Sequence, residues 1–207
     1  MNGKQYFENV AENWDKMREA FFPESIRSKA ILLAGVNKGS LVADIGAGSG
    51  FITEGLITKQ VRIVAVDQSN KMLQVMRQKF KDSPNIEYKL SDSENLPIVD
   101  NEVDFAFANM YLHHVDNPQK AIDELYRILK RGGKLIITDL DKHNHEFLIK
   151  EHHDKWMGFE RSDIKKWFNN SGFFNVEVNC IGDNCCADSE TSNESAKINI
   201  FIAVGNK

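Results

Sequence analysis

The stretch Leu41-Val42-Ala43-Asp44-Ile45-Gly46-Ala47-Gly48-Ser49-Gly50 constrains this chain more than any other. A short apolar run of strand type leads into a turn with glycine at alternate positions, and helical character begins near Phe51. Glycines let the backbone come close to a ligand, and the helix start behind them favours polar or anionic groups. In an open α/β sheet this first turn lies where ligands bind. A dinucleotide fingerprint would need its third glycine at position 51, where the chain has Phe51.

Six further strand-type runs follow the same logic: 61–66, 86–90, 103–108, 134–138, 176–180 and 198–204. Helical segments or loops separate the first five strands. Asp67-Gln68-Ser69-Asn70 offers a cap ahead of Met72, Leu73, Val75 and Met76. Asn117-Pro118 starts a helix with apolar residues at Ala121, Ile122, Leu125, Ile128 and Leu129, and Gly132-Gly133 is expected to end it. Ser162 to Asn170 reads as another helix, closed by Gly172. Alternation of this kind predicts a doubly wound, mainly parallel sheet with helices on both faces. The last two runs, joined by a polar loop, predict an antiparallel pair at one end. Residues 1–36 read as two leading helices broken by Pro23, over the sheet or its active edge.

Composition narrows the class. A chain of 207 residues suggests one domain, 1–207, with a helical lid (1–36), a cofactor-binding core (37–140) and acceptor-side helices with the strand pair (141–207). The net charge of −4 argues against a dedicated nucleic-acid binder. The longest apolar run, 31–36, is far short of the ~20 residues of a membrane span. Three cysteines, two of them adjacent, make no disulfide framework, and the amino terminus has no apolar leader, so a cytoplasmic home is expected.

Three acidic residues stand in register with the first three strands: Asp44 before the glycines, Asp67 at the end of strand two, and Asp92 after strand three. A carboxylate at the second position can accept hydrogen bonds from both hydroxyls of a ribose. With Asn109-Met110-Tyr111-Leu112-His113-His114-Val115 and Leu129-Lys130-Arg131-Gly132-Gly133, these segments resemble class I S-adenosylmethionine-dependent methyltransferases. Within that class they look like the branch of the quinone-biosynthesis C-methyltransferases (methyltransferase domain family type 11). The resemblance implies a Rossmann-like, seven-stranded sheet whose last strand is antiparallel, and transfer of a methyl group to a small-molecule acceptor. It places Asp44, Gly46 and Gly48 at the methionine portion, Asp67 at the ribose, and Gln68 and Met72 at the adenine. Asp92 and Ser93 would lie by the exocyclic amine, and Asn109 near the sulfonium. Arg131 departs from the branch, which usually has proline there. A non-catalytic cofactor sensor is the alternative.

All six histidines fall between 113 and 153 and all three cysteines between 180 and 186. The expected topology brings both groups to the edge where an acceptor must stand, with Cys180 ending strand six and Cys185-Cys186 in the loop after it. His113 or His114 is a candidate general base, since an imidazole titrates near neutral pH. Binding of a soft metal or metalloid by His and Cys, or the holding of a thiophilic acceptor by the cysteines, is a second use that would make a metalloid or thiol methyltransferase, and a solvated surface is a third. His145 and His152 could share a helical face, but no established zinc spacing is present. Residues 139–159 are also weakly similar to methyltransferase modules fused to metal-responsive helix-turn-helix repressors. The roughly 40 residues before strand one are too few for such a DNA-binding domain.

Overall fold

The computed structural model describes residues 3–92 and 94–207. Three helices lead the chain rather than two: α1 (Gly3–Val10), a 3-10 turn (Ala11–Asn13), α2 (Trp14–Phe21) and α3 (Ser25–Ala34). Pro23 sits between α2 and α3, as expected from its missing N–H. The core then alternates as β1 (Leu41–Ile45), α4 (Phe51–Ile57), β2 (Arg62–Asp67), α5 (Asn70–Lys79), β3 (Ile86–Leu90), β4 (Val103–Asn109) and α6 (Pro118–Ile128). It closes with β5 (Leu129–Leu140), α7 (Glu146–Glu151), α8 (Arg161–Ser171), β6 (Phe174–Asp188) and β7 (Ser195–Asn206).

The seven strands form one sheet in the order β3-β2-β1-β4-β5-β7-β6. The first five run parallel, and β7 is antiparallel to both of its neighbours. β1 and β4 are adjacent although β2 and β3 intervene in sequence, so the strand order reverses between them. The turns after these two strands diverge and leave a crevice at their carboxyl ends.

Both faces of the sheet are covered, which explains the nearly continuous apolar strands. α6 and α8 bury Ile122, Leu125, Ile164 and Phe168 against Ile45, Val66 and Leu135 on one face. On the other, α3, α4 and α7 bury Ile26, Ile31, Leu56 and Phe147 among residues that include Val42, Ile63 and Phe107. The helix starts read from sequence hold: Ser69 Oγ accepts from Met72 N at 3.1 Å, and Asn117 Oδ1 from Lys120 N at 3.1 Å.

Two expectations are corrected. Gly132-Gly133 does not end α6, which stops at Ile128. Its last carbonyls, on Arg127 and Ile128, already accept from Asn101 N and Glu102 N, so the helix needs no glycine cap. Gly132, at φ +79°, instead shapes the entry to the sheet and donates to Lys207 O at 2.6 Å. The second correction concerns Cys185 and Cys186. They lie in β6, paired with Ile198 and Lys197, not in a loop beyond it. The strand survives through a bulge: Cys180 pairs with Phe201 and Asn184 with Asn199, so four steps on β6 face two on β7. Gly182, at φ +82°, makes the kink, and Lys29 of α3 fastens it by donating to Ile181 O at 3.0 Å and Asp183 Oδ2 at 2.7 Å.

Candidate active site

A cavity of about 500 Å³ opens at the carboxyl ends of β1, β2 and β4, within the ~300–1,000 Å³ usual for small-molecule sites. Gly46, Gly48, Asp67, Gln68, Met72, Asp92, Asn109, His113 and His114 all line it. Ser93 lies outside the described residues. Asp44 does not line the cavity. Its Oδ2 accepts from Thr53 N at 3.0 Å and Thr53 Oγ1 at 2.7 Å, so this 2%-exposed carboxyl pins the start of α4 to β1. Burial pushes the Asp44 carboxyl up to about 6, against those two bonds.

The glycine loop is a fitted surface. Gly46 has φ +67°, and a Cβ there would stand 2.7 Å from the Tyr111 ring. Gly50 has φ +95°, and a Cβ would meet Phe80 at 2.4 Å. Neither position admits a side chain. Gly48 has φ +56°, and its Cβ would meet only Trp14 Nε1, at 3.6 Å. Gly48 N donates to Asp67 Oδ2 at 2.8 Å, and Ser69 N to Asp67 Oδ1 at 2.8 Å. Asp67 therefore clamps the loop while keeping acceptor capacity at the cavity wall. Burial raises its pKa, opposed by the backbone donors of Ser69, Gly48 and Gln68. Across the cavity, Asn109 Oδ1 accepts from Thr138 Oγ1 at 2.7 Å, which fixes the amide at the mouth of β4.

The opposite wall is polar. His113 Nδ1 lies 2.6 Å from Asp139 Oδ1, and Asp139 Oδ2 accepts from Tyr111 N and Leu112 N at 3.1 and 2.8 Å. Asp139 is completely buried. Burial alone would lower the His113 imidazole, but the carboxylates of Asp139 and Asp154 outweigh it and lift it to about 9. Burial pushes Asp154 up to about 6, with His113 pulling the other way. His114 is driven well below the ordinary imidazole range by burial and then by the charge of His113. The two imidazoles are thus pushed in opposite directions, His113 upward by the carboxylates and His114 downward by burial. Cys185 also lines this wall, and burial, with the charge of Asp154, raises its thiol to about 12. Cys180 and Cys186 are exposed and line no part of it. His145 and His152 flank α7 as its two caps and share no helical face, although His152 reaches the cavity.

α1 and α2 roof the cavity with Tyr6, Phe7, Trp14 and Phe21. Phe7 and Trp14 meet edge to face at 5.3 Å, and Trp14 and Phe21 lie 6.1 Å apart. The roof rests on the rim through Glu8 Oε1, which accepts from Asn70 N at 2.8 Å, and through Asp15, which accepts from Ser49 Oγ and pairs with Lys79 at 3.0 Å. Sequence reasoning assigned residues 1–36 to a lid without naming this set of side chains. The available signal was an aromatic residue at each seventh position, 7, 14 and 21. Asp139 and Asp154 were also missed as site residues, because their role arises only when β4, β5 and the segment after α7 converge.

Residues 43–137 match the model of a methyltransferase domain family. The ubiquinone/menaquinone biosynthesis C-methyltransferase of Hydrogenovibrio crunogenus is 30% identical over 156 residues, 71% of this chain and 61% of that protein. Its counterpart in Pseudoalteromonas translucida is 32% identical over 153 residues, 70% of this chain and 61% of that one. The chain thus spans about three-fifths of the length of these relatives. Among solved structures, a chain of the Haloferax volcanii complex containing the Trm112 methyltransferase activator superposes with TM-score 0.81 at 21% identity, covering 97% of this chain and 96% of that one. An S-adenosylmethionine-dependent methyltransferase from Aquifex aeolicus gives 0.70 at 20%, covering 96% and 97%. At these identities the structural likeness is one of fold.

Proposed function

We propose that this chain is a class I S-adenosylmethionine-dependent methyltransferase that transfers a methyl group to a small-molecule acceptor, a reading supported by the domain match over 43–137 and by its C-methyltransferase relatives. The observation that carries the proposal is the single cavity with two unlike walls, glycine loop and Asp67 on one, His113, His114 and Asp154 on the other. The residues fit the cofactor. Gly46 and Gly48 allow backbone approach at positive φ, Asp67 has acceptor capacity for ribose hydroxyls, Gln68 and Met72 flank the adenine, and Asp92 lies at the same end. Asp44 contributes by holding the helix start behind the loop. When bound, the cofactor supplies an activated sulfonium methyl, so the protein's work is positioning and water exclusion.

In this reading Asn109 lines the join between the walls, and the aromatic roof sheds water from the site. His113 Nδ1 is committed to Asp139, and His114 is the candidate proton acceptor on this wall. The acceptor is small because the cavity is roofed, and the acidic chain gives no grip on a nucleic acid. Among the described residues no helix is long and apolar enough to cross a membrane. A cytoplasmic site of action suits the three free cysteines. Residues 1–207 act as one unit, with 1–36 as lid and 141–207 on the acceptor side. The metalloid or thiol acceptor weighed from sequence retains one inward cysteine, Cys185.

Calorimetry with S-adenosylmethionine, S-adenosylhomocysteine and NAD tests the cofactor, and methyl-labelled cofactor with panels of thiols, phenols and amines tests transfer. Binding of the first two ligands with labelled product is the expected result. Preference for NAD would overturn the assignment. Cofactor binding with no product from any acceptor class would favour the sensor reading.

A further inference from the structure

We propose that His113, His114 and Asp154 form a site for one divalent ion of the zinc type, open toward the cavity. One nitrogen of each ring and one carboxylate oxygen lie within 4.8 Å of one another. His113 Nε2 and His114 Nδ1 stand 3.9 and 3.8 Å from Asp154 Oδ1. These gaps are too long for hydrogen bonds. They are close to the edge of a tetrahedral ligand set, which is about 3.4 Å for metal–ligand distances near 2.1 Å. A modest inward shift of three side chains would complete the ligand triangle.

The surroundings point the same way. His114 Nδ1 is buried with no hydrogen-bond partner, a state that buried polar groups seldom keep without a reason. That nitrogen faces Asp154. His113 is anchored at its other nitrogen by Asp139 at 2.6 Å, the carboxylate–histidine support that orients imidazole ligands in metal sites. Asp139 and Asp154 bring two negative charges, which a divalent ion would balance in place of a proton displaced from His113 Nε2 to solvent. Two imidazoles and one carboxylate suit zinc, cobalt or ferrous ions rather than magnesium or calcium. All three residues line the cavity, so the remaining coordination positions face it, as in catalytic rather than structural sites.

The inference rests on the methyltransferase reading only for its use: an acceptor bound to the ion through a thiol or phenol would lose its proton to solvent and stand in the cavity as an anion. The ion itself is tested separately. The chelator-treated full chain is titrated with Zn²⁺ by calorimetry and with Co²⁺ by visible absorption. One equivalent of each is expected, with a tetrahedral Co²⁺ spectrum, and His114→Gln or Asp154→Asn should weaken Zn²⁺ binding at least tenfold. Asp139→Asn should weaken it about tenfold or more through the orientation of His113. Cys180→Ser and Cys186→Ser should leave it unchanged. Absence of Zn²⁺ and Co²⁺ binding by the parent chain, an octahedral Co²⁺ spectrum, or full affinity in folded His114→Gln would overturn the site, whatever the variants' stability. Metal binding without S-adenosylmethionine binding would sustain the ion and sink the methyl-transfer reading. Cofactor binding and turnover in a chain that takes no metal would do the reverse, and would leave His114 as a proton acceptor.

Discussion

The two walls of the cavity are built by different means. The glycine-loop wall is largely backbone: three positive-φ glycines within five residues, held by Asp67 from the adjacent strand. The opposite wall is side chain throughout, gathered from the segment after β4, the end of β5, the segment after α7 and the bulged β6. A backbone wall can be specified by a short contiguous motif and serve one invariant ligand. A side-chain wall can be rebuilt residue by residue without disturbing the sheet, so its ligand can change while the backbone wall keeps its own.

The comparison can be broken by any variant that moves both walls together. The largest effect is expected at Gly50→Ala, where the added carbon meets Phe80 and the backbone is left-handed. Loss of about 3 kcal/mol or more is expected in denaturant titration, with cofactor affinity falling only as the fold is lost. A stable Gly50→Ala protein would show that the loop is softer than its packing. Next comes Asp139→Asn, which leaves Tyr111 N, Leu112 N or His113 Nδ1 poorly matched in a buried position. About 2 kcal/mol of stability should go, and turnover should drop while the S-adenosylmethionine dissociation constant stays within about twofold. A large change in that constant would mean that the walls are coupled.

Asp67→Asn should shift the loss toward the cofactor, raising its dissociation constant about tenfold, equivalent to roughly 1.4 kcal/mol, with about 1 kcal/mol of stability lost because the amide nitrogen faces Gly48 N or Ser69 N. Asp67→Ala should do more, because Gly48 N and Ser69 N also lose their acceptor. Asp44→Asn is the smallest change, and its signature is pH dependence. The folded carboxyl titrates near 6, against 3.8 for an ordinary Asp, so the fold binds that proton more tightly than the unfolded chain does. Parent stability therefore carries a cost above pH 6 that is relieved as pH falls toward 4. The Asn variant should exceed the parent by on the order of 1 kcal/mol or more at pH 8, and the gap should close as pH falls from 6 toward 4. A constant gap across that range would place the titration elsewhere.

The backbone wall was legible in the sequence because its information is local. Gly46, Gly48 and Asp67 announce a strand-to-helix turn and the strand beside it, and Gln68, Met72 and Asp92 follow in register. Asp44 shows the limit of that reading. Its spacing suits a ligand contact, yet Thr53, nine residues on, takes its oxygen. His113 and His114 were found as a pair, but nothing in two adjacent identical letters says that one imidazole will be pushed up and the other down. The upward push on His113 comes from Asp139 and Asp154, 26 and 41 residues away. The β6 bulge was equally hidden, because Gly182 in a polar stretch reads as loop until Lys29 and β7 hold it extended.

The roof has a kinetic consequence. Its named polar ties, Glu8 to Asn70 and Asp15 to Ser49 and Lys79, lie near the surface, where such contacts contribute roughly 0.2–1 kcal/mol each. The aromatic side chains above the cavity hold it more firmly, by the area they hide from water. In the proposed reaction, spent cofactor would pass this cover once per cycle, whichever acceptor was modified. If that passage is the slow step, turnover will level off at one ceiling for good and mediocre substrates alike, and will fall as the solvent is made more viscous. Trimming Phe7 or Phe21 would then quicken release while admitting water, exchanging commitment for speed.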